Sequence, residues 1–171
     1  MGDWSRDLSE AERDTIAAAR RKAFWLYEGR RVPHRSCGVA LAETFNLPSQ
    51  PYQALRKGGV TGEGECGVVV AGRLILGQVF GDPDPAGPVT PALRAAMEDY
   101  AARWPERIGK RRGEDIACNT LTARFADFRG PERAAMCTSM AAEVAELVAE
   151  VMLRNGLQIV VTEIAGLSPK R

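Results

Sequence analysis

Four cysteines and a single histidine hold most of the metal-ligating and redox chemistry that this 171-residue chain could perform. Cys37, Cys66, Cys118 and Cys137 stand 29, 52 and 19 positions apart. There is no CxxC pair and no CxxCH, so the pattern is not that of a zinc ribbon, a thioredoxin or a covalent c-type haem. Taken singly, each cysteine reads as a small buried hydrophobe. Taken together, three of the four fall at helix starts. Cys37 follows Pro33-His34-Arg35-Ser36 and opens a helix, Cys66 leaves a glycine-rich loop for the next one, and Cys118 lies in another first turn. Cys137 is about two turns into the last long helix. Unpaired amides and the positive end of the helix dipole sit at such places. They lower a thiol's pKa and favour the thiolate, which is both nucleophile and metal ligand. The four thiols are therefore the expected functional site.

Other candidates are weaker. His34, the only histidine, could assist a metal beside Cys37 or hydrogen-bond a cluster sulfur, although a surface loop position is plainer. One histidine excludes a multi-histidine metal centre and argues against a histidine-based triad. Glu63 and Glu65 could carry protons beside Cys66 but read as solvated loop carboxylates. The loop GGVTGEGECG has no Gly-Lys-Ser/Thr after it and no strand before it, so it is neither a P-loop nor a dinucleotide fingerprint. Its glycines would let backbone amides approach a bound anionic cluster and donate to its sulfurs.

The elements that must position these residues read as helices. Ser9-Glu10-Ala11-Glu12 is a capping box for a helix to about Glu28, which Gly29 ends. Ser36 is expected to cap a helix from Cys37 to about Asn46, and Pro51 to Lys57 adds a turn or two. Gly67 to Phe80 has the length of a buried helix. GDPDPAGP is an obligate loop, after which Thr90 and Pro91 open a helix to about Trp104. Arg107 to Glu114 reads as a solvated charged connector. Further helices are expected over Asp115 to Phe128 and Glu132 to Arg154. The β-branched run Leu157 to Ile164 reads as a short strand or extended arm, packed against a second subunit. Trp4, Trp25 and Trp104 read as packing or interface residues.

The expected fold class is thus all-α: one domain over residues 1–171, a bundle of six to seven helices with a short extended C-terminal tail. Hydrophobic residues at 45% and charged residues at 26% are ordinary for a globular chain. A net charge of +1 and 6% aromatics give no field or stacking platform for nucleic acid. No run of about 18 apolar residues could span a membrane. MGDWSRDLSEAERD lacks the basic start and apolar core of a signal peptide. These features lead to the expectation of a cytoplasmic protein, where thiols stay reduced. The apolar helices, with the tail, suggest a homodimer.

The segments HRSCGVALAETFNLP, GGVTGEGECGVVVAGRLILGQVFG, ACNTLTARFADF and MCTSMAAEVAELVAEVM resemble the C-GCAxxG-C-C family of redox-active proteins across roughly Ala17 to Met152. Cys37 matches that family's first cysteine, Cys66 the central one, and Cys118 and Cys137 the two downstream. The family in turn resembles the helical domain of split-Soret cytochromes, where cysteines hold an iron–sulfur cluster. The resemblance implies that Cys37, Cys66, Cys118 and Cys137 ligate a 2Fe–2S cluster, two thiolates per iron, in an electron-transfer protein with an unknown redox partner. Two alternatives stay open. One is a metal-free thiol–disulfide protein that cycles Cys37 with Cys66, or Cys118 with Cys137. The other is a structural zinc module. No substrate-binding constellation other than the thiols marks the chain as an enzyme.

Overall fold

The computed structural model describes residues 1–167. Helix α1, Glu10–Glu28, starts on the expected capping box. The Ser9 hydroxyl accepts from the Glu12 amide at 3.2 Å, and the Glu12 carboxylate accepts from the Ser9 amide at 2.8 Å. Arg6 grips the same carboxylate at 2.8 and 2.9 Å. Gly29 ends the helix in the left-handed conformation at φ 77°, which only a residue without Cβ adopts freely.

Helix α2, Gly38–Thr44, is shorter than expected, and Cys37 rather than Ser36 is its N-cap. Ser36 contributes its backbone carbonyl, which accepts from the Val39 amide at 3.1 Å. A 3₁₀ turn follows over Gln50–Leu55. Helix α3 spans Gly67–Phe80. Helix α4 spans Pro91–Arg107, with the Thr90 hydroxyl accepting from the Leu93 amide at 3.0 Å. It runs about a turn past the expected stop and holds Pro105 inside that turn. Helix α6, Pro131–Arg154, is the longest element.

One expectation is corrected, and one open alternative, strand or extended arm for the tail, is decided. Asp115 to Phe128 is not one helix: only Cys118–Thr122 is helical, and it is α5. The Asp115 carboxylate accepts from the Ala117 amide at 2.8 Å and from the Thr120 hydroxyl at 2.6 Å. This is local side-chain bonding of the kind that competes with helix formation. The tail is not a strand either. Among the described residues the one β pairing is the isolated antiparallel bridge between Glu65 and Ala117. The tail runs as an irregular arm over its own chain. There Asn46 donates to the Val160 carbonyl at 2.9 Å, and Lys22 donates to Asn46 at 3.0 Å and to Thr162 at 3.3 Å.

α6 lies along α1 and also touches α4, α3 and α2, while α3 packs between α2 and α4. Ala19 and Ala23 on α1, and Ala141, Ala145 and Ala149 on α6, are all fully buried. They recur at four-residue spacing on adjoining helices, which lets the two backbones come close. Leu41, Ile75, Leu76, Val144, Leu147 and Val148 fill the rest without exposure. Each such side chain contributes about 1.5–3 kcal/mol by leaving water. The apolar residues of α3 and α6 are thus largely taken up by the chain's own core. No helix among the described residues is long and apolar enough to cross a membrane.

Candidate functional site: a chamber lined by four thiols

The site is assembled from the ends of short elements. At the Glu65–Ala117 bridge, the Cys66 amide donates to the Ile116 carbonyl at 2.8 Å and the Cys118 amide to the Gly64 carbonyl at 3.0 Å. One backbone clasp therefore sets the starts of α3 and α5 side by side. The glycine-rich loop makes the clasp possible. A Cβ on Gly58, whose φ is 55°, would lie 2.3 Å from the Gly64 carbonyl oxygen and 2.7 Å from the Cys118 Cβ. A Cβ on Gly67 would lie 2.0 Å from the Leu55 carbonyl oxygen, so the 3₁₀ turn closes onto the first residue of α3.

Cys37 arrives from the opposite side, at φ 49°. This is costly for a non-glycine residue and is held by its surroundings. Cys137, in the second turn of α6, completes the set. All four cysteines line one chamber of about 30 Å³, together with Tyr27, Val68, Leu121, Met136 and Met140. That is room for about one water molecule. All four are free thiols. Three of them, Cys37, Cys118 and Cys137, also line a wider vestibule of about 210 Å³ that shares this wall. Folding has gathered thiols 19 to 52 positions apart into a single place.

Their electrostatics differ from expectation. Burial, not the helix terminus, dominates at Cys66. Its thiol is pushed up to about 12, although the Val69 and Val68 amides of the first turn of α3 oppose the shift. Burial also raises Cys37, and the neighbouring Cys137 adds to it; the Lys57 amide, aimed at the Cys37 sulfur, pulls the other way. Cys118 is raised by burial and by Cys37 and Cys137, with Lys57 and Arg133 easing it. Desolvation of a charged form in an apolar chamber outweighs the amide dipoles. The amides at the sulfurs come from Lys57 and from α3, not from the glycines between them.

Tyr27 was not singled out from the sequence. It is buried near the end of α1, and its hydroxyl faces both the Cys37 and Cys137 sulfurs. Burial, then the two thiols, raise its pKa. Its position four residues after the buried Ala23, and the need of a buried phenol for a polar partner, were the available signals. His34 stacks edge-on against Tyr27, ring centroids 5.0 Å apart, and its Nδ1 is bonded to the Tyr27 carbonyl. It thus braces the tyrosine and lines the vestibule rather than the chamber. Glu65 pairs with Arg73 on the surface, and Glu63 is exposed. Trp104 is buried, and Trp4 lies between Arg103 and Arg154, their guanidinium carbons 3.5 and 4.8 Å from the ring centroid. A wider cleft, about 490 Å³ along α4 at Leu93 and Met97, contains no thiol.

Among the described residues no three His, Cys, Asp or Glu side chains close on a common point as a mononuclear metal ion requires. A 2Fe–2S cluster makes a different demand, for two thiolates at each iron. Four thiols around one chamber, with backbone amides aimed at two of them, fit that donor set.

A helical bundle that carries four thiols from four separate segments into one buried chamber defines a class, a helical thiol-centred redox protein. The family model described as "Putative redox-active protein (C_GCAxxG_C_C)" matches residues 35–151, and the chain belongs to that family. All four cysteines fall within the matched segment, whereas Tyr27 and His34 lie outside it. No curated protein and no solved structure matches the chain.

Proposed function

We propose that this protein is an electron-transfer protein in which Cys37, Cys66, Cys118 and Cys137 hold a 2Fe–2S cluster, two thiolates per iron. The observation that carries this reading is the shared chamber, in which four separate segments deliver one thiol each without three meeting at a point. When bound, such a group supplies one-electron transfer at a potential set by charge, hydrogen bonding and solvent exposure. The chain supplies those settings. Lys57, Val68 and Val69 direct amides at Cys37 and Cys66, the Tyr27 hydroxyl faces Cys37 and Cys137, and Met136, Met140 and Leu121 keep water out. Burial disfavours the thiolates of Cys37, Cys66 and Cys118 in the metal-free chamber; a cationic iron core would reverse that preference by accepting them as ligands.

Anaerobic purification followed by iron, sulfide and visible-absorption analysis tests the reading. The expected result is iron and sulfide in equal amounts, lost together in Cys66→Ala. A colourless preparation that iron and sulfide cannot reconstitute would refute it.

One observation favours a second reading. Cys37 and Cys137 raise each of the other two thiols and share the Tyr27 hydroxyl. Cys37 with Cys137 is thereby a candidate pair beside Cys37 with Cys66 and Cys118 with Cys137. In a metal-free cycle these two thiols give two electrons and two protons to a partner disulfide, which leaves as a dithiol. A Cys37–Cys137 disulfide that appears on mild oxidation and responds to reductant would select this reading.

A further inference from the structure

The vestibule in front of the thiols has a property that neither redox reading uses. Its wall includes Arg56, Lys57 and Arg133, with His34 beside them, and contains no carboxylate. Elsewhere ten of the eighteen described cations of this nearly neutral chain are paired with acids. Arg6 meets Glu12, Arg35 meets Glu43, Arg73 meets Glu65, Arg107 meets Glu150 and Arg154 meets Glu150. Among the described residues Arg56, Lys57 and Arg133 take part in no ion pair. The acids next in sequence to Arg133 do not serve it, since Asp127 and Glu132 line a separate cleft with Phe125 and Pro131.

What the cations have instead is a ring. The Lys57 ammonium and the Arg133 guanidinium sit 5.3 and 4.7 Å from the Phe128 ring centroid. Arg133 also donates through Nε to the Phe128 carbonyl at 2.5 Å. A ring and a carbonyl hold cations in position but leave their charge uncancelled. The result is a concave space of about 210 Å³ with fixed positive charge on its wall and three thiols at its back. Low-dielectric walls focus such a field outward and concentrate counter-ions at the mouth.

We infer that this vestibule binds a small dianion presenting oxygen atoms, a short dicarboxylate or an inorganic oxyanion, directly in front of Cys118 and Cys137. The volume admits about seven waters at roughly 30 Å³ each, which suits a molecule of that class. The inference stands apart from the choice between cluster and disulfide, because it concerns the wall and not the sulfurs. The bland alternative is that the cations serve only to ease ionisation of the thiols.

Alkylation of the reduced, metal-free protein separates the two. Iodoacetate and iodoacetamide both react by attack of a thiolate on the iodomethylene carbon, forming a C–S bond and releasing iodide. They differ in charge, so their rate ratio at one cysteine is independent of how ionised that cysteine is. Adducts are read at Cys118 by mass spectrometry. The expected result is an iodoacetate-to-iodoacetamide ratio about tenfold above that of a free small thiol, reduced by salt. Malonate or inorganic phosphate should lower Cys118 labelling by both reagents, and whichever acts at lower concentration identifies the source. In Arg56→Gln/Lys57→Gln, both exposed positions, the ratio should fall towards the small-thiol value. Arg133→Gln provides a second variant. A ratio equal to that of the free thiol, or variants that slow both reagents equally, would overturn the inference and leave the cations as modulators of thiol ionisation.

Discussion

The two ends of the bundle are built by different rules. At the stem, Ile16 and Ala19 of α1 pack on Ala149 and Leu153 of α6, all buried. The surrounding charges are paired, with Arg20 on Glu146 and Arg154 on Glu150. The helix start there follows local chemistry, with a capping box at Ser9 and Glu12 opening α1. At the thiol end, Cys37 and Lys57 hold positive φ angles of 49° and 48°. α5 is a five-residue helix, and chamber and vestibule replace solid packing. The stem is stable because each local preference agrees with the fold. The thiol end accepts strain and voids so that four sulfurs can meet, as functional sites commonly do.

Perturbing each end should therefore give different readouts. Leu147→Ala deletes a fully buried side chain on α6 and should cost about 2–5 kcal/mol in denaturant unfolding. The folded variant should keep wild-type alkylation rates at all four thiols; altered rates would show that the two ends are not separable.

A smaller effect is expected with pH at the other end. In the reduced, metal-free protein the Cys66 thiol is held well above its ordinary 9.0, at about 12. Between those values the unfolded chain loses the proton while the native chain keeps it, so the native state binds more protons and stability falls as pH rises. The contribution is fully present below pH 9 and declines by about 1.4 kcal/mol per pH unit above it. Unfolding measured from pH 8 to 11 should show a shallower decline in Cys66→Ala than in the wild type. Parallel curves would mean that the thiol is not desolvated.

The smallest expected change comes from Tyr27→Phe. Loss of a hydroxyl that faces two sulfurs should cost about 0.5–1.5 kcal/mol and slow alkylation of Cys37, whose thiolate it stabilises. Leaving the Cys37 rate unchanged would place Tyr27 among the packing residues.

Much of the helical frame was legible from the sequence because its signals are local. Ser9 with Glu12, Gly29, and Thr90 with Pro91 mark helix ends by chemistry within one turn, and Gly67 to Phe80 is helical throughout as its length implied. The thiol end was legible only as a list of cysteines. Asp115 to Phe128 looked helical, but the Asp115 carboxylate and the Glu65–Ala117 bridge hold its first three residues out of the helix. The raised thiols were missed because helix position is visible in a sequence and burial is not. Tyr27 reaches Cys37 and Cys137 across 10 and 110 positions of chain, and no periodicity within one element reports such a meeting.

The central claim is that the four thiols form one redox centre. Its most direct test is thiol footprinting of the protein reconstituted anaerobically with iron and sulfide, each cysteine quantified by mass spectrometry. The account predicts that Cys37, Cys66, Cys118 and Cys137 become protected together, in proportion to the bound iron. A coloured, iron-loaded protein in which any one of the four labels as fast as in the metal-free form would contradict it.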